Sequence, residues 1–459
     1  MSEKRIALVH PDYQGKVFET LSIPLGLAWL SAYLKKCGFS VVCYDFALSQ
    51  QNLKNMFNDK YDVIGFQLHS LDTLEESLYL IKEVKQKQPA TKTIVGGIAA
   101  TLLWNKLLDQ RFIDFIVIGE GEATMVDLLN NIDDYSKLRK VKGIAFRHKG
   151  QKKFTGYRKP IRDLDDIPLP DRNAFAWKYY PQWSVVTSRG CPYRCSFCVV
   201  PIFWRGIIRL RSAGNVYNEL RELEEKYNVR KFLFLDDVFS IDKPRVKELM
   251  NLIIKGKHDF EWACFTRADL VDKEILELFK KAGCVEISYG VESANQETLN
   301  LLNKGIRVCQ IKKAIQLTKE IGIRVRCSFI FGLPNETKEN ISKTIDFMLE
   351  TEPHEVQIYP LAPYPGTSMF HNRKKYGIKI LSTYFKAWKK DALNPIAETK
   401  YLSREDIIEM VRLCVKRLKE NGYVWIPIDK APGKYSIEKC VMTVFSPLQS
   451  LSTTEMGTS

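Results

Sequence analysis

The sequence predicts an α/β protein with two sheet domains and a small, mostly helical C-terminal unit. Two series of short apolar runs alternate with amphipathic segments, and a basic, proline-rich stretch lies between them. A chain of 459 residues is too long for one compact core and has room for two. We place the first domain at 1–145, the linker at 146–180, the second domain at 181–375 and the C-terminal extension at 376–459.

The first series contains five strand–helix units. Its apolar runs predict strands over 5–9, 40–44, 62–66, 93–95 and 114–118. Amphipathic patterns predict helices over 24–36, 50–58, 73–87, 99–108 and 123–130. Near-continuous apolar strands separated by helices are typical of a parallel, doubly wound sheet, which binds ligands outside the carboxyl ends of its strands.

The second series contains six apolar runs. They predict strands over 183–188, 231–235, 260–265, 285–289, 325–331 and 355–361. Helical patterns such as 215–227 and 244–254 separate them. Six parallel strands with intervening helices predict a partial (β/α)6 barrel, whose active site lies at the carboxyl ends of the strands.

The C-terminal extension contains one clear helical signal. Ser403 and Asp406 form a capping-box-like start for an amphipathic helix through residue 419. The tail after residue 446 is rich in Ser and Thr, and we expect it to be mobile.

The chain is basic, with 69 Lys and Arg residues against 54 Asp and Glu residues and a formal net charge of +15. Eleven of the basic residues and no acidic residue fall in 137–162. Such a run can face an acidic substrate, an anionic membrane surface or RNA. Because residues 143–150 read as a strand and a turn, we favour a solvated hairpin and linker. Nucleic acid is then an unexpected partner, and peripheral membrane contact stays open.

The compartment is predicted to be the reducing cytoplasm. No apolar run reaches the roughly 18 to 20 residues that span a bilayer, and the N-terminal apolar run is too short for a secretion signal. Eleven cysteines are an odd number in a large chain, which favours free thiols or metal ligands over a disulfide framework.

Three cysteines lie within eight residues, directly after the first strand of the second series: Cys191, Cys195 and Cys198. Thiolates are the ligands of iron–sulfur clusters. A four-iron cluster held by three protein thiolates keeps one iron open, which is typical of a metal centre that performs chemistry. A structural zinc site would need a fourth ligand, and the nearest other Cys or His residues are the distant His148 and His258.

The pattern Cys191-x-x-x-Cys195-x-x-Cys198, with Phe197 before the third cysteine, resembles the signature of radical S-adenosylmethionine (radical SAM) enzymes. The resemblance implies that the three cysteines hold a [4Fe–4S] cluster whose open iron chelates S-adenosylmethionine (SAM). One electron then splits SAM into methionine and a 5′-deoxyadenosyl radical, which removes a substrate hydrogen.

Further segments at the barrel strand ends resemble the SAM-contacting elements of that family. They are the acidic pair after the second strand, a Gly-Val-Glu-Ser element after the fourth and a Gly-Leu-Pro element after the fifth. The resemblance implies these SAM-binding residues: Phe197, Asp236, Asp237, Ser288, Glu292, Gly332 and Pro334.

A doubly wound domain before such a barrel resembles the cobalamin-binding class of radical SAM enzymes. The third strand and the loops after the third, fourth and fifth strands supply the implied cobalamin residues: Gly65, His69, Ser70, Thr73, Gly96, Gly97, Gly119, Glu120 and Gly121. The Asp-x-His-x-x-Gly pattern of many cobalamin domains is missing, so no histidine ligand below the cobalt is expected.

The two cofactors together imply methylation of an unactivated carbon of a small molecule, such as a tetrapyrrole, a natural-product precursor or a lipid. A reducing donor such as flavodoxin or ferredoxin is the implied partner. No catalytic base is assigned, and the sequence does not indicate an oligomeric state.

Three alternatives stay open beside the methyltransferase. A radical cyclase, rearrangement catalyst or oxidase would use the same two domains without net methyl transfer. A tRNA methylthiotransferase would use the basic run but needs more cysteines for a second cluster. A non-catalytic iron–sulfur sensor or electron carrier would leave the open iron and the Gly-Leu-Pro element unexplained.

Overall fold

The computed structural model describes residues 4–11, 22–48, 55–388, 392–427 and 439–443. The chain forms two compact units. The first unit contains residues 1–192 and 200–233, and the second contains residues 193–199 and 234–459.

The first unit is built on a seven-stranded sheet. Its strands are β1 (Arg5–His10), β2 (Ser40–Asp45), β3 (Val63–Gln67), β4 (Lys92–Gly96), β5 (Phe115–Val117), β6 (Ile144–His148) and β7 (Gln151–Phe154). They lie in the order β2-β1-β3-β4-β5-β6-β7, with β1 to β5 parallel and the last two strands antiparallel. The five predicted strands and the doubly wound architecture are confirmed.

The helices of the first unit are α1 (Leu25–Lys36), α2 (Leu74–Lys87), α3 (Ile98–Leu107), α4 (Glu122–Asn131), α5 (Tyr135–Leu138), α6 (Val200–Phe203) and α7 (Ala213–Tyr227). Several of them cover the sheet through their apolar faces. Helix α1, for example, buries Leu27, Ala28 and Leu34 against the core. Part of the helix predicted over 50–58 lies outside the described residues.

The basic run forms the predicted hairpin, and part of its charge has local partners. The guanidinium of Arg147 donates hydrogen bonds to the backbone carbonyl oxygens of Leu108, Gln110, Arg111 and Ile113 at 2.6–3.2 Å. These contacts attach β6 to the chain that leads into β5.

The predicted linker contains a buried arginine. Arg172 is 1% exposed, forms an ion pair with Glu219 and donates to the carbonyl oxygen of Ser184 at 3.1 Å. Four short strands follow: β8 (Ser184–Val185), β9 (Ser188–Arg189), β10 (Arg209–Leu210) and β11 (Lys231–Phe234). Strands β9 and β10 pair antiparallel, and β8 is the neighbour of β11.

The second unit contains a parallel sheet. Its strands are β12 (Glu261–Thr266), β13 (Cys284–Glu292), β14 (Arg324–Phe331), β15 (Glu355–Pro360), β16 (Lys379–Ile380), β17 (Ala397–Glu398), β18 (Val424–Pro427) and β19 (Cys440–Thr443). The order is β12-β13-β14-β15-β19-β18, while β16 and β17 form a separate antiparallel pair. With β8 and β11, the six strands predicted for the second series are present, the first of them shortened.

Helices of the second unit follow the predicted alternation. They are α8 (Lys243–Gly256), α9 (Lys273–Lys281), α10 (Gln296–Leu301), α11 (Val308–Glu320), α12 (Lys338–Thr351), α13 (Ser368–His371) and α14 (Arg404–Glu420). Single 3₁₀ turns occur in both units, over Arg172–Ala174 and Trp177–Tyr179 in the first and over Phe239–Ile241, Ala268–Leu270 and Phe385–Trp388 in the second.

The C-terminal extension is more than a helix. The capping box at Ser403 and Asp406 is confirmed: the serine hydroxyl accepts from the Asp406 amide, and the carboxylate accepts from the Ser403 amide. In addition, β18 and β19 extend the parallel sheet, which the sequence did not predict. The tail after residue 446 lies outside the described residues. Within the described chain, no helix is long and apolar enough to cross a membrane.

Candidate active site

The loop that carries the second and third cysteines is held by backbone hydrogen bonds in the second unit. The Ser196 amide donates to the Leu302 carbonyl oxygen at 2.8 Å, and the Met369 amide donates to the Ser196 carbonyl oxygen at 2.9 Å. The Asn303 side-chain amide donates to the Arg194 carbonyl oxygen at 2.9 Å. Contacts from both sides therefore fix the loop.

Phe197 anchors the same loop through apolar contact. Its half-buried ring packs against the cluster that includes Leu302, Leu333, Leu361 and Met369. The aromatic residue before the third cysteine thus has a packing role, and the SAM contact that the sequence implied for Phe197 stays a prediction.

Cys195 lies among charged side chains. Burial raises the pKa of its thiol, the positive charges of Lys304 and Arg267 lower that pKa, and the negative charge of Glu292 raises it, with a net rise. Arg267 is fixed by its contact with the Tyr193 ring, whose centroid is 3.7 Å away. Because a metal ligand must be the thiolate, the two cations favour the form of Cys195 that binds iron.

Cys191 belongs to the first unit and is 9% exposed. The preceding Gly190 has φ +96°, and a Cβ there would lie 2.2 Å from the carbonyl oxygen of Ile207, so only glycine fits. None of the three motif cysteines forms a disulfide, and Cys195 and Cys198 are half-buried.

The donor chemistry of these three thiols suits an iron–sulfur cluster. Among the described residues, no three Cys, His, Asp or Glu side chains converge as ligands of one metal ion. In a cubane cluster each thiolate binds a different iron, so the ligand sulfurs lie farther apart than the ligands of a single ion. The assignment of the three cysteines as cluster ligands stays a prediction that rests on their chemistry.

The end of β13 presents a buried ion pair. Lys304 Nζ lies 2.7 Å from Glu292 Oε1, and both side chains are nearly buried. Glu292 has φ +68°, which turns its side chain back over Gly290, where a Cβ would lie 2.7 Å from Glu292 Oε1. Ser288, on the same strand, is 5% exposed.

The loop after β14 is packed tightly against α14. Gly332 has φ +86°, and a Cβ there would lie 2.6 Å from Ile407 Cδ1. Pro334 is buried in the same loop. After β11, Asp236 is buried and Asp237 is exposed, so the structure separates the two members of the predicted acidic pair.

Glu336 is a site residue that sequence reasoning missed. It is 1% exposed and accepts hydrogen bonds from the Ser293 hydroxyl at 2.8 Å and from the Leu333 amide at 3.1 Å. Burial raises the pKa of its carboxyl group to about 7, although these hydrogen bonds lower it. The carboxyl group therefore connects the loop after β13 with the loop after β14, and the second of these loops carries the predicted SAM residues Gly332 and Pro334.

A chain of polar contacts runs along one face of the second sheet. Tyr359 Oη donates to Gln357 Oε1 at 2.8 Å, and Gln357 Nε2 donates to Glu355 Oε1 at 2.7 Å. Glu355 pairs with Arg326 at 2.9 Å, and Arg326 also pairs with Glu286. The sheet therefore has a hydrogen-bonded polar face.

In the first unit, glycines shape the carboxyl ends of the strands. Gly97 has φ +98°, and a Cβ there would lie 2.7 Å from the Leu68 carbonyl oxygen. The Gly119 amide donates to Thr101 Oγ1 at 3.0 Å. The Gly119 end also borders a small cleft, which Tyr157 and other residues line. Because glycine lets a backbone approach a bound ligand closely, this edge suits cofactor binding.

The other residues predicted to bind cobalamin have varied surroundings. His69 is exposed, the Ser70 hydroxyl donates to Asp72, and Thr73 precedes the first turn of α2. The remaining members lie in or just after β3, β4 and β5: Gly65, Gly96, Glu120 and Gly121. The contact of each with cobalamin stays a prediction.

Comparison with known proteins bears on both units. The protein-family model described as the radical SAM superfamily matches residues 185–348, and the model described as the B12 binding domain matches residues 15–129. The anaerobic magnesium-protoporphyrin IX monomethyl ester cyclase of Cereibacter sphaeroides is 31% identical over 429 residues, which are 89% of this chain and 69% of the relative. The chain belongs to the radical SAM superfamily.

Two further comparisons concern methylases. The hopanoid C-3 methylase of Methylococcus capsulatus is 28% identical over 388 residues, which are 81% of this radical SAM chain and 73% of the relative. The structure of the radical SAM methyltransferase TsrM from Kitasatospora setae superposes with a TM-score of 0.74 at 18% identity, covering 96% of this chain and 93% of that one. The second likeness shows a shared fold.

These findings confirm the predicted radical SAM enzyme with a B12-binding domain. They also confirm the predicted cofactors, a [4Fe–4S] cluster, SAM and cobalamin, as those of the two matched families. The predicted likeness to methyltransferases is confirmed by the named methylases. A radical SAM enzyme needs a small-molecule substrate and an electron donor, as predicted.

Proposed function

We propose that this radical SAM enzyme methylates an unactivated carbon of a small-molecule substrate with cobalamin as its second cofactor. One observation carries the proposal: a B12-binding domain over residues 15–129 precedes the radical SAM region over 185–348 in the same chain. The similarity to a hopanoid methylase across most of the chain supports it.

In this proposal, Cys191, Cys195 and Cys198 hold the cluster, and the strand-end residues of the second unit hold SAM. When bound, the cluster supplies the electron that splits SAM, and cobalamin supplies the methyl group. The glycine-lined edge of the first unit, with Gly97 and Gly119, holds cobalamin.

The chain's own residues orient these groups and exclude water. The paired charges of Glu292 and Lys304 are fixed by one another and by burial, so they form a preorganised polar contact for the amino acid part of SAM. Hydrogen abstraction by a radical needs no proton acceptor, which agrees with the lack of an assigned catalytic base.

We further propose that the enzyme works in the reducing cytoplasm and takes its electron from a small donor such as flavodoxin or ferredoxin. We interpret the basic run as a hairpin and not as a surface that binds nucleic acid. The hydrogen bonds of Arg147, and the ion pair of Lys152 with Asp109 at 2.6 Å, support this interpretation.

The first experiment tests the cluster and SAM cleavage. Anaerobically reconstituted protein should hold about four irons per chain and release 5′-deoxyadenosine from SAM when reduced with dithionite. Cys195→Ala should lose both properties, whereas Cys309→Ala should keep both, because Cys309 is an exposed single cysteine on α11. Full iron content in Cys195→Ala would refute the ligand assignment, and no cleavage by the wild-type protein would favour a sensor or electron carrier.

The second experiment tests methyl transfer. With SAM labelled in its methyl group, the product of a methyltransferase carries the label and gains one CH2. Tetrapyrrole and hopanoid candidates are the first substrates to try, since the relatives act on these classes by name. A new product without label would refute methylation.

A radical cyclase is the second candidate function. It is favoured by the 31% identity to the cyclase of Cereibacter sphaeroides over 89% of this chain. It would use the same cluster and SAM, and conversion of magnesium-protoporphyrin IX monomethyl ester without incorporation of label would establish it.

A further inference from the structure

A buried ion-pair cluster lies directly before the first cysteine of the motif. Arg189 places Nη1 2.9 Å from Glu120 Oε1 and Nη2 2.6 Å from Glu122 Oε1. Arg209 Nη1 lies 2.7 Å from the same Glu120 oxygen. All four side chains are at most 9% exposed, so water cannot replace these contacts. We call these four residues the Arg189 cluster.

Aromatic rings enclose the cluster. The Arg189 guanidinium carbon lies 5.1 Å from the ring centroid of Trp29 and 5.8 Å from that of Trp204. Arg209 lies 5.3 Å from the Trp204 ring centroid. Guanidinium groups stack favourably on aromatic faces, and desolvation strengthens that attraction. The two arginines are therefore held by charge and by stacking at once.

The cluster is joined to the backbone that leads to Cys191. Arg189 belongs to β9, which pairs with β10. Arg209 of β10 lies directly opposite Arg189 in this pair. The next residue, Gly190, lies so close to the Ile207 carbonyl oxygen that no side chain fits. Cys191 follows Gly190 directly, and this close packing restricts the backbone between Arg189 and Cys191. A shift of Arg189 therefore moves the backbone of the first cysteine.

The Glu120 carboxylate has most of its acceptor positions filled. Its Oε1 atom forms ion pairs with Arg189 and Arg209, and its Oε2 atom accepts a hydrogen bond from the Ile161 amide at 3.0 Å. A carboxylate offers about four acceptor positions. The resemblance implied that Glu120 binds cobalamin, but its hydrogen-bonding capacity is largely used inside the protein.

We propose that Glu120 and Glu122 are positioning residues for the iron–sulfur cluster: they hold Arg189, and through it the backbone of Cys191. The inference rests on the proposed function, because it assumes that Cys191 is a cluster ligand. It predicts that loss of either carboxylate speeds the release of iron from the cluster and leaves the affinity for cobalamin unchanged.

The test compares two buried arginines of the first unit. Arg189→Lys keeps the positive charge but loses the fork that reaches two carboxylates. Arg172→Lys is the matched control, because Arg172 is also buried and is ion-paired with Glu219 in the same unit. Each variant is reconstituted with iron and sulfide, and iron release to a chelator is timed. The electron paramagnetic resonance spectrum of the reduced cluster is recorded as well.

Arg189→Lys should release iron about tenfold faster than the wild-type protein and change the spectrum, while Arg172→Lys should match the wild type in both. Equal release rates in Arg189→Lys and the wild-type protein would overturn the inference. Equal acceleration in both variants would also overturn it, because general destabilisation would then explain the effect. If Arg189→Lys is insoluble, Glu122→Gln, which keeps the side-chain volume, takes its place.

Glu120→Gln separates the two roles of the carboxylate. As a positioning residue it should speed iron release and leave the hydroxocobalamin dissociation constant within about twofold of the wild-type value. A weakened cobalamin complex with unchanged iron release would overturn the inference in favour of a cobalamin contact. If the wild-type protein holds iron but binds no cobalamin, the proposed methyl transfer fails while the iron-release comparison still decides the role of Arg189.

Discussion

Glu336 provides a pH-dependent test of the second unit. The carboxyl group is buried, and among the described residues no cation forms an ion pair with it. Burial raises its pKa from 4.5 to about 7, against the opposing effect of the hydrogen bonds from Ser293 and Leu333. Glu336→Gln removes the titrating group and keeps a side chain of similar size.

The expected magnitude follows from the shift in pKa. A raised folded-state pKa means that folding takes up a proton, so the free energy of unfolding falls as pH rises from the unfolded pKa towards the folded one. Each pKa unit corresponds to about 1.4 kcal/mol. Between about pH 5 and pH 8, the wild-type protein should lose roughly 2 to 3 kcal/mol of stability relative to Glu336→Gln.

The measurement is chemical denaturation of the reconstituted protein and of both variants at the two pH values. Glu339→Gln is the control, because Glu339 is exposed on the next turn and pairs with Lys343. The difference in the free energy of unfolding between the wild-type protein and Glu336→Gln should change with pH. The corresponding difference between the wild-type protein and Glu339→Gln should stay nearly constant. A pH-independent difference for Glu336→Gln would show that the carboxyl group does not titrate in this range.

Two further predictions concern the first unit. Gly97→Ala should weaken hydroxocobalamin binding about tenfold, because its Cβ would collide with the Leu68 carbonyl; Gly38→Ala, with a similar φ and no atom within 4 Å, is the control in an absorbance titration. Unchanged affinity in Gly97→Ala would contradict cofactor binding at this edge. Reversing the exposed charges of Lys140 and Lys149 to Glu should leave the KM for substrate unchanged, and a large rise would revive an electrostatic role for the basic run.

The alternation of strands and helices could be predicted because burial on both faces makes parallel strands continuously apolar. Strands β3 and β5 show this signal clearly, whereas β13 to β15 carry polar side chains such as Glu286, Arg326 and Glu355 on one face of the second sheet. Strands β18 and β19 have four residues each and come after the strand–helix alternation ends, so periodicity could not assign them. Their place is set by pairing with β15 and with one another.

The roles of individual charged residues were harder to predict. Glu120 stands in a glycine-rich loop typical of cofactor sites, yet its partners Arg189 and Arg209 lie 69 and 89 residues away in sequence. Arg172 followed a proline-rich stretch that indicated a linker, and its partner Glu219 is also distant. Such contacts depend on tertiary packing, which no local pattern encodes. Glu336 had a local signal, since it follows the Gly-Leu-Pro element, but sequence gave no measure of its burial.

Strand β7 lies at one edge of the first sheet, and its sequence is Gln-Lys-Lys-Phe. An outermost strand leaves backbone donors and acceptors open to pairing with another chain, which is a common route to aggregation. Lysines at an edge oppose such pairing, because a second copy would bring the same positive charges alongside. Although Lys152 also pairs with Asp109, we expect the basic hairpin to limit aggregation at high concentration, an effect that needs no binding partner.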